Sequence, residues 1–128
     1  MDLNLSGKHI LITGGSKGIG LACAQAFLAE GARVSLVSRS EVNLTRARES
    51  LSAFGTDRVQ THAADLTQPA SAQAALDAAI ATFGPVDVLV NSAGAAKRTP
   101  APELTPQAWH DAMQAKYLSY IHMIDPVI

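Results

Sequence analysis

Cysteine occurs once in the 128 residues, at Cys23. One thiol cannot build an intramolecular disulfide framework or a cysteine-rich zinc site, and it fits a reducing compartment. Charge of one sign is also missing: 10 Lys+Arg face 11 Asp+Glu, a formal net charge of -1. No field of that size draws the chain toward nucleic acid or an anionic membrane surface. No stretch reaches the roughly 18 apolar residues of a membrane span. The opening Met1-Asp2-Leu3-Asn4 is acidic and too short in apolar run for a secretory signal. These absences point to a cytoplasmic chain with neither a nucleic-acid nor a membrane partner. Aromatic residues number only six, against 23 alanines. Small side chains let helices press closely on a sheet, which suits a layered α/β fold.

What is present alternates. His9–Thr13 is a short apolar run bounded by Gly7 and Gly14 and reads as a buried strand. From Gly18 to Glu30 the residues Ile19, Cys23, Ala26 and Phe27 recur at helical spacing, and Gly31 gives the stop signal. Arg33–Ser38 reads as a second strand, and Glu41–Phe54 as a helix with Leu44, Ala47 and Leu51 on one stripe. Arg58–Ala64 follows as a strand, Pro69–Phe83 as an alanine-rich helix, and Val86–Val90 as a fourth, almost wholly apolar strand. Such a strand is buried on both faces, as in a parallel sheet. Thr105-Pro106 sets an N-cap and a proline at the first helical position. The fourth helix then carries Trp109, Met113, Lys116, Tyr120 and Ile124 on one stripe, with Ala108, Ala112, Ala115 and Ser119 beside it.

Strict alternation of strand and helix predicts a doubly wound, Rossmann-type parallel sheet, and right-handed crossovers give the strand order 3-2-1-4. No domain boundary or internal repeat is visible. The last residues, Asp125-Pro126-Val127-Ile128, carry no helix stop signal, so residues 1–128 read as the N-terminal part of a single dinucleotide-binding domain, truncated after its fourth helix.

Between the first strand and helix lies Thr13-Gly14-Gly15-Ser16-Lys17-Gly18-Ile19-Gly20. Glycines allow the backbone a sharp turn and a close approach to a ligand, while the helix N-terminus offers N–H groups and the positive end of a dipole. The loop is not a P-loop, because no Gly-Lys-Ser/Thr follows at the required spacing. Nor is it a strict G-x-G-x-x-G, since Cys23 stands where a third glycine would follow Gly18 and Gly20.

The Thr13-Gly14-x-x-x-Gly18-x-Gly20 pattern resembles the cofactor motif of the short-chain dehydrogenase/reductase family. Asn91-Ser92-Ala93-Gly94 is similar to that family's Asn-Asn-Ala-Gly, with Ser92 in place of the second Asn, and Asp65-Leu66 stands after the third strand, where the family meets adenine. The resemblance runs in order from about residue 5 to the end. It implies that Gly14, Ser16, Lys17, Gly18, Ile19 and Gly20 line the pyrophosphate and adenosine ribose. Asp65 and Leu66 would hold the adenine, and Asn91, Ala93 and Gly94 would border the nicotinamide ribose.

An acidic residue at the end of the second strand would bond the ribose 2′-OH of NAD and repel a 2′-phosphate. Ser38 stands there, followed by Arg39, with Lys17 nearby in the glycine loop. Two cations without the carboxylate favour NADP over NAD. The activity implied is hydride transfer between nicotinamide and a small alcohol or ketone. The family's Tyr-x-x-x-Lys is absent here, because Ile121 and Ile124 stand four residues after Tyr117 and Tyr120. Lys116, seven residues after Trp109, occupies the position of the family's catalytic Asn. Partial burial would lower its pKa and suit it to acid/base work in a divergent branch; the alternative is a packed stem with its ammonium in water. His9, His62, His110 and His122 share no metal-ligand spacing and read as packing or surface residues, and Cys23 as a helix-packing residue. The competing function is a non-catalytic dinucleotide-binding or interaction module. The resemblance further implies a homo-oligomer.

Overall fold

The structure, a computed structural model, describes residues 1–93 and 99–128. Four strands, β1 (His9–Thr13), β2 (Arg33–Ser38), β3 (Val59–Ala63) and β4 (Val88–Asn91), form one parallel sheet in the order β3-β2-β1-β4. Ile10 lies opposite Val34 on one side and Val88 on the other, so β1 is fully buried along its length. That is the burial expected of a central parallel strand. β4 is half-buried throughout and pairs with β1.

Helices α1 (Gly18–Ala29) and α2 (Glu41–Ser50) cover one face of the sheet. Ile10, Ile12, Val34, Leu36 and Val59 meet Ala24, Leu28, Leu44 and Ala47 there. α3 (Pro69–Phe83) covers the other face, where Leu11 and Val37 pack on Ala72, Ala75, Leu76 and Ala79. Three alanines, Ala72, Ala75 and Ala79, let α3 lie close on the sheet. Ser40 caps α2 by accepting the Asn43 N–H at 3.1 Å, and Thr105 caps α4 (Pro106–Met113) by accepting from Ala108 at 3.1 Å.

Two readings of helix faces need correction. On α1 the buried residues are Gly20, Ala24 and Leu28, with Cys23 and Phe27 half-buried, while Ile19 and Ala26 are exposed. The inward stripe is therefore one residue out of phase with the predicted one. The fourth helix is not continuous α-helix. After α4 comes a π-helical turn, Gln114–Leu118, then α5 (Ser119–Val127). A π turn holds an extra residue, so the phase shifts. Ser119 and Met123 are buried against the α3 side, whereas Trp109, Met113 and Lys116 of the predicted stripe are exposed. The Ser119 hydroxyl donates within its own helix to the Ala115 and Lys116 carbonyls at 3.1 and 2.9 Å, which occupies the carbonyls that the wide turn loosens.

At the amino edge of the sheet a chain of buried polar side chains crosses three strands. His9 Nδ1 lies 2.9 Å from the Gly84 carbonyl, His9 Nε2 2.6 Å from Ser35 Oγ, Gln60 Nε2 2.8 Å from Ser35 Oγ, and His62 Nε2 2.7 Å from Gln60 Oε1. Because a carbonyl only accepts, Nδ1 of His9 carries the proton. Ser35 then donates to Nε2 while accepting from Gln60. Every donor in the chain meets an acceptor with His9 neutral. Burial lowers the His9 pKa below 6.5 against the raising effect of the Gly84 hydrogen bond; the Arg33 charge lowers it further, and Pro85 and Asp87 oppose more weakly.

Candidate functional site

The opposite, carboxyl edge of the sheet opens into a groove of about 480 Å³. In open α/β sheets this is the edge at which ligands bind. Its floor begins where β1 ends. Gly14 has φ +67, and a Cβ there would come within 2.7 Å of the Ala93 N. The loop after β4 thus lies directly on the glycine backbone. Thr13 fixes that approach, its hydroxyl accepting from the Ser92 and Ala93 N–H groups at 3.2 and 3.3 Å. A Cβ on Gly20, one turn into α1, would run into the Gly14 carbonyl oxygen. Only glycine lets the start of α1 sit so close under the loop. Gly18 has φ +59, the left-handed region that glycine enters without cost.

α1 therefore starts at the groove. Its N-cap is Lys17, and among the described residues no side chain caps it, nor does an acidic residue stand in its first turn. The first N–H groups of a helix have no partner within the helix. An uncapped N-terminus facing a cleft is a ready anion site. Ile19, 78% exposed, adds an apolar surface to the same mouth.

The second wall follows β2. The Ser16 hydroxyl donates to Ser38 Oγ at 3.1 Å, tying the glycine loop to the end of β2, and Arg39 and Lys17 both line the groove with exposed side chains. The third wall follows β3. Asp65 Oδ1 accepts from the Thr67 hydroxyl at 2.7 Å and the Thr67 N–H at 3.0 Å, and these bonds hold its carboxyl below 3.8, hydroxyl first, with Arg39 adding to them. Asp65 is thus not a loosely solvated loop carboxylate. Leu66 is buried beneath it.

Nine of the residues singled out in the sequence line this one groove: Gly14, Ser16, Lys17, Ile19, Ser38, Arg39, Asp65, Leu66 and Ala93. Gly18 and Gly20 shape its floor from the turn and from inside α1 rather than lining it. Asn91 stays in β4, paired opposite Thr13. Gly94 lies outside the described residues. Lys116 does not line the groove: it is exposed, with its ammonium 5.3 Å from the centre of the Tyr120 ring. Its expected partial burial is not found, because the π turn directs Ala115 and Ser119 to the groove instead. Ser40, Asn43 and Thr67 also line it and were not singled out. Ser40 was legible as an N-cap; Thr67, two residues beyond Asp65, carries the Asx-turn signal that could have found it.

Among the described residues no helix is long and apolar enough to cross a membrane, and no group of His, Cys, Asp or Glu is placed to hold a metal ion.

A parallel sheet in 3-2-1-4 order, with a glycine turn running into an uncapped helix at its carboxyl edge, defines a doubly wound α/β domain of the Rossmann type. The family model described as short chain dehydrogenase matches residues 8–128, and the chain belongs to that family. It is 42% identical over 114 residues to D-threitol dehydrogenase of Mycolicibacterium smegmatis, a match covering 88% of this chain and 43% of that protein. The L-sorbose reductase from Gluconobacter frateurii, solved with NADPH and L-sorbose, superposes with a TM-score of 0.90 at 34% identity, over 98% of this chain and 48% of that one. An NADPH-bound short chain oxidoreductase from Pseudomonas aeruginosa PAO1, containing an atypical catalytic center, gives a TM-score of 0.90 at 31% identity, over 96% and 48%. The chain spans about half the length of the curated relatives it matches.

Proposed function

We propose that residues 1–128 form the N-terminal part of a single dinucleotide-binding domain, in an oxidoreductase that moves hydride between NADP and a small alcohol or ketone. The observation that carries the cofactor choice is the end of β2. There Ser38 replaces a carboxylate, and two exposed cations, Arg39 and Lys17, flank the same groove. A 2′-phosphate would gain charge-assisted hydrogen bonds from them, whereas a bare 2′-OH would not. The NADPH in two of the similar structures supports this reading. The glycine floor and the uncapped start of α1 fit a pyrophosphate: no Cβ could be accommodated at Gly14 or Gly20, and no acidic side chain in the first turn of α1 competes for the N–H groups. When bound, the cofactor supplies the hydride chemistry; this chain's residues bind and orient it, with Asn91 and Ala93 bordering the nicotinamide ribose.

Lys116 is proposed as an acid/base group of the whole protein. Support comes from its neighbours in the helix, Ala115 and Ser119, which line the groove. The protein would work in the cytoplasm as a homo-oligomer. The single cysteine fits that compartment, and the exposed Trp109 and Met113 of α4 and Tyr117 of the π turn offer apolar surface for assembly.

Titration of the purified protein with NADPH and NADH, followed by fluorescence or calorimetry, tests the cofactor. Arg39→Ala should weaken NADPH binding by roughly 1.5–3 kcal/mol, the range for hydrogen bonds to charged groups, and leave NADH nearly unchanged. Equal losses for both cofactors would refute the phosphate role.

A further inference from the structure

Asp65 is held by a device that reaches well beyond the groove. The peptide between Leu66 and Thr67 is pinned at both ends: its N–H donates to Asp65 Oδ1 at 3.0 Å, while its carbonyl lies 2.7 Å from Nδ1 of His122 on α5. The next peptide repeats the pattern. The Gln68 N–H donates to the Asp65 carbonyl at 3.1 Å, and the Thr67 carbonyl accepts from Gln114 Nε2 at 3.1 Å. In a trans peptide the N–H and C=O point in opposite directions. Two outward bonds to the π turn and α5 therefore aim two N–H groups inward at one residue. A flip of either plane would remove an N–H from Asp65 and set a carbonyl oxygen against it.

We propose that His122 and Gln114 are positioning residues for the adenine end of the groove: His122 acts through the peptide 66–67 on the Asp65 carboxylate, and Gln114 through the peptide 67–68 on the Asp65 backbone carbonyl, together fixing the side chain against the nucleotide base. The inference rests on the dinucleotide reading for what Asp65 meets, and on geometry alone for how it is held. Neither side chain lines the groove. The same helical segment brings Ala115 and Ser119 into it, so the docking of the π turn and α5 on the sheet and the shape of the base site form one unit.

The test follows the Asp65 carboxyl by carbon NMR through an acid titration, alongside calorimetric binding of adenosine 2′,5′-bisphosphate well below the melting temperature. His122→Ala should raise the Asp65 titration toward its ordinary value of 3.8 and weaken binding about three- to tenfold, the scale of one lost hydrogen bond. His122→Asn, which restores a side-chain N–H donor near the position of Nδ1, should recover both. Gln114→Met keeps the side chain's length and gives a second variant should His122→Ala fail to fold. An unmoved Asp65 titration in both deletion variants overturns the proposal, as does a moved titration with unchanged affinity. A lowered melting temperature with neither change marks a purely structural role and overturns it as well. If the unaltered protein binds no adenine nucleotide, the dinucleotide reading fails, and the carboxyl titration still decides whether the two side chains hold Asp65.

Discussion

The two edges of the sheet are both polar, yet they are built on opposite rules. At the amino edge His9, Ser35, Gln60 and His62 bond each other and the Gly84 and Ala79 carbonyls. At the carboxyl edge the start of α1 is uncapped, and Lys17 and Arg39 extend into solvent. A buried polar group without a partner costs about 1–3 kcal/mol, so the closed chain is what lets histidine and glutamine sit among apolar side chains. The open edge leaves its N–H groups and cations to a ligand. Residue type alone does not separate structural from functional polarity here; where the partners lie does.

The largest expected effect comes from breaking the open edge. Gly20→Ala drives a methyl into the Gly14 carbonyl oxygen, so the loop must move or α1 must lift. We expect a loss of about 1–3 kcal/mol in urea unfolding, typical of overpacking, together with the loss of measurable NADPH binding. Unchanged binding would show that the loop geometry is not what the ligand requires.

The closed edge responds to protons. His9 and His62 both have folded-state pKa values below 6.5, caused first by burial, with Arg33 acting on His9 and His9 on His62. The unfolded chain therefore takes up protons first as pH falls. Stability from these groups is fully present above about 6.5 and declines below it, by at most about 1.4 kcal/mol per pH unit for each histidine. Thermal melts should be flat on the alkaline side of neutrality and fall through mild acid, before Asp65 begins to titrate. Ser35→Ala should alter the acid limb and leave NADPH affinity alone, separating the two edges in one variant.

The smallest effect on stability and binding belongs to Lys116. Its ammonium over Tyr120 is an exposed cation–π contact, worth roughly 0.5–1 kcal/mol. Lys116→Ala should shift urea unfolding by no more than that and leave NADPH affinity nearly unchanged. In the whole protein the same substitution should abolish turnover, and full retained turnover would dismiss Lys116 as the acid/base group.

Where glycine and proline punctuate the chain, the sequence is a good guide to its elements. β1, β2 and α3 have the bounds predicted for them, and the Gly7, Gly14 and Gly31 signals, with Pro69 and Gly84 about α3, are the reason. The sequence predicts one helix over Glu41–Phe54, but α2 stops at Ser50 and a separate 3-10 turn spans Ser52–Phe54. β4 starts at Val88 rather than Val86 because Asp87 is drawn to β1, its N–H bonding the His9 carbonyl and its carboxylate the His9 N–H. Helix faces were harder to read. Ile19 is apolar and keeps helical spacing, yet it faces the groove, so periodicity counted a ligand-side residue as core. Nothing in Gln114–Leu118 marks a π turn, since no glycine or proline interrupts it; beyond it Met123 packs on the α3 side. The glycine loop, Arg39 and Asp65 were legible because their chemistry is local to motifs. Gln114 and His122 were not, because they reach Thr67 and Leu66, beside Asp65, across 47 and 56 residues of chain.

The π turn also bears on which changes the gene can absorb. A substitution at the exposed Tyr117 removes no core packing. A one-codon deletion within the turn would be another matter. Each residue turns a helix by about 100°, so closing the turn to ordinary α geometry would swing α5 round its own axis and carry Met123 out of the core and His122 away from Leu66. What the segment cannot change is the number of its residues.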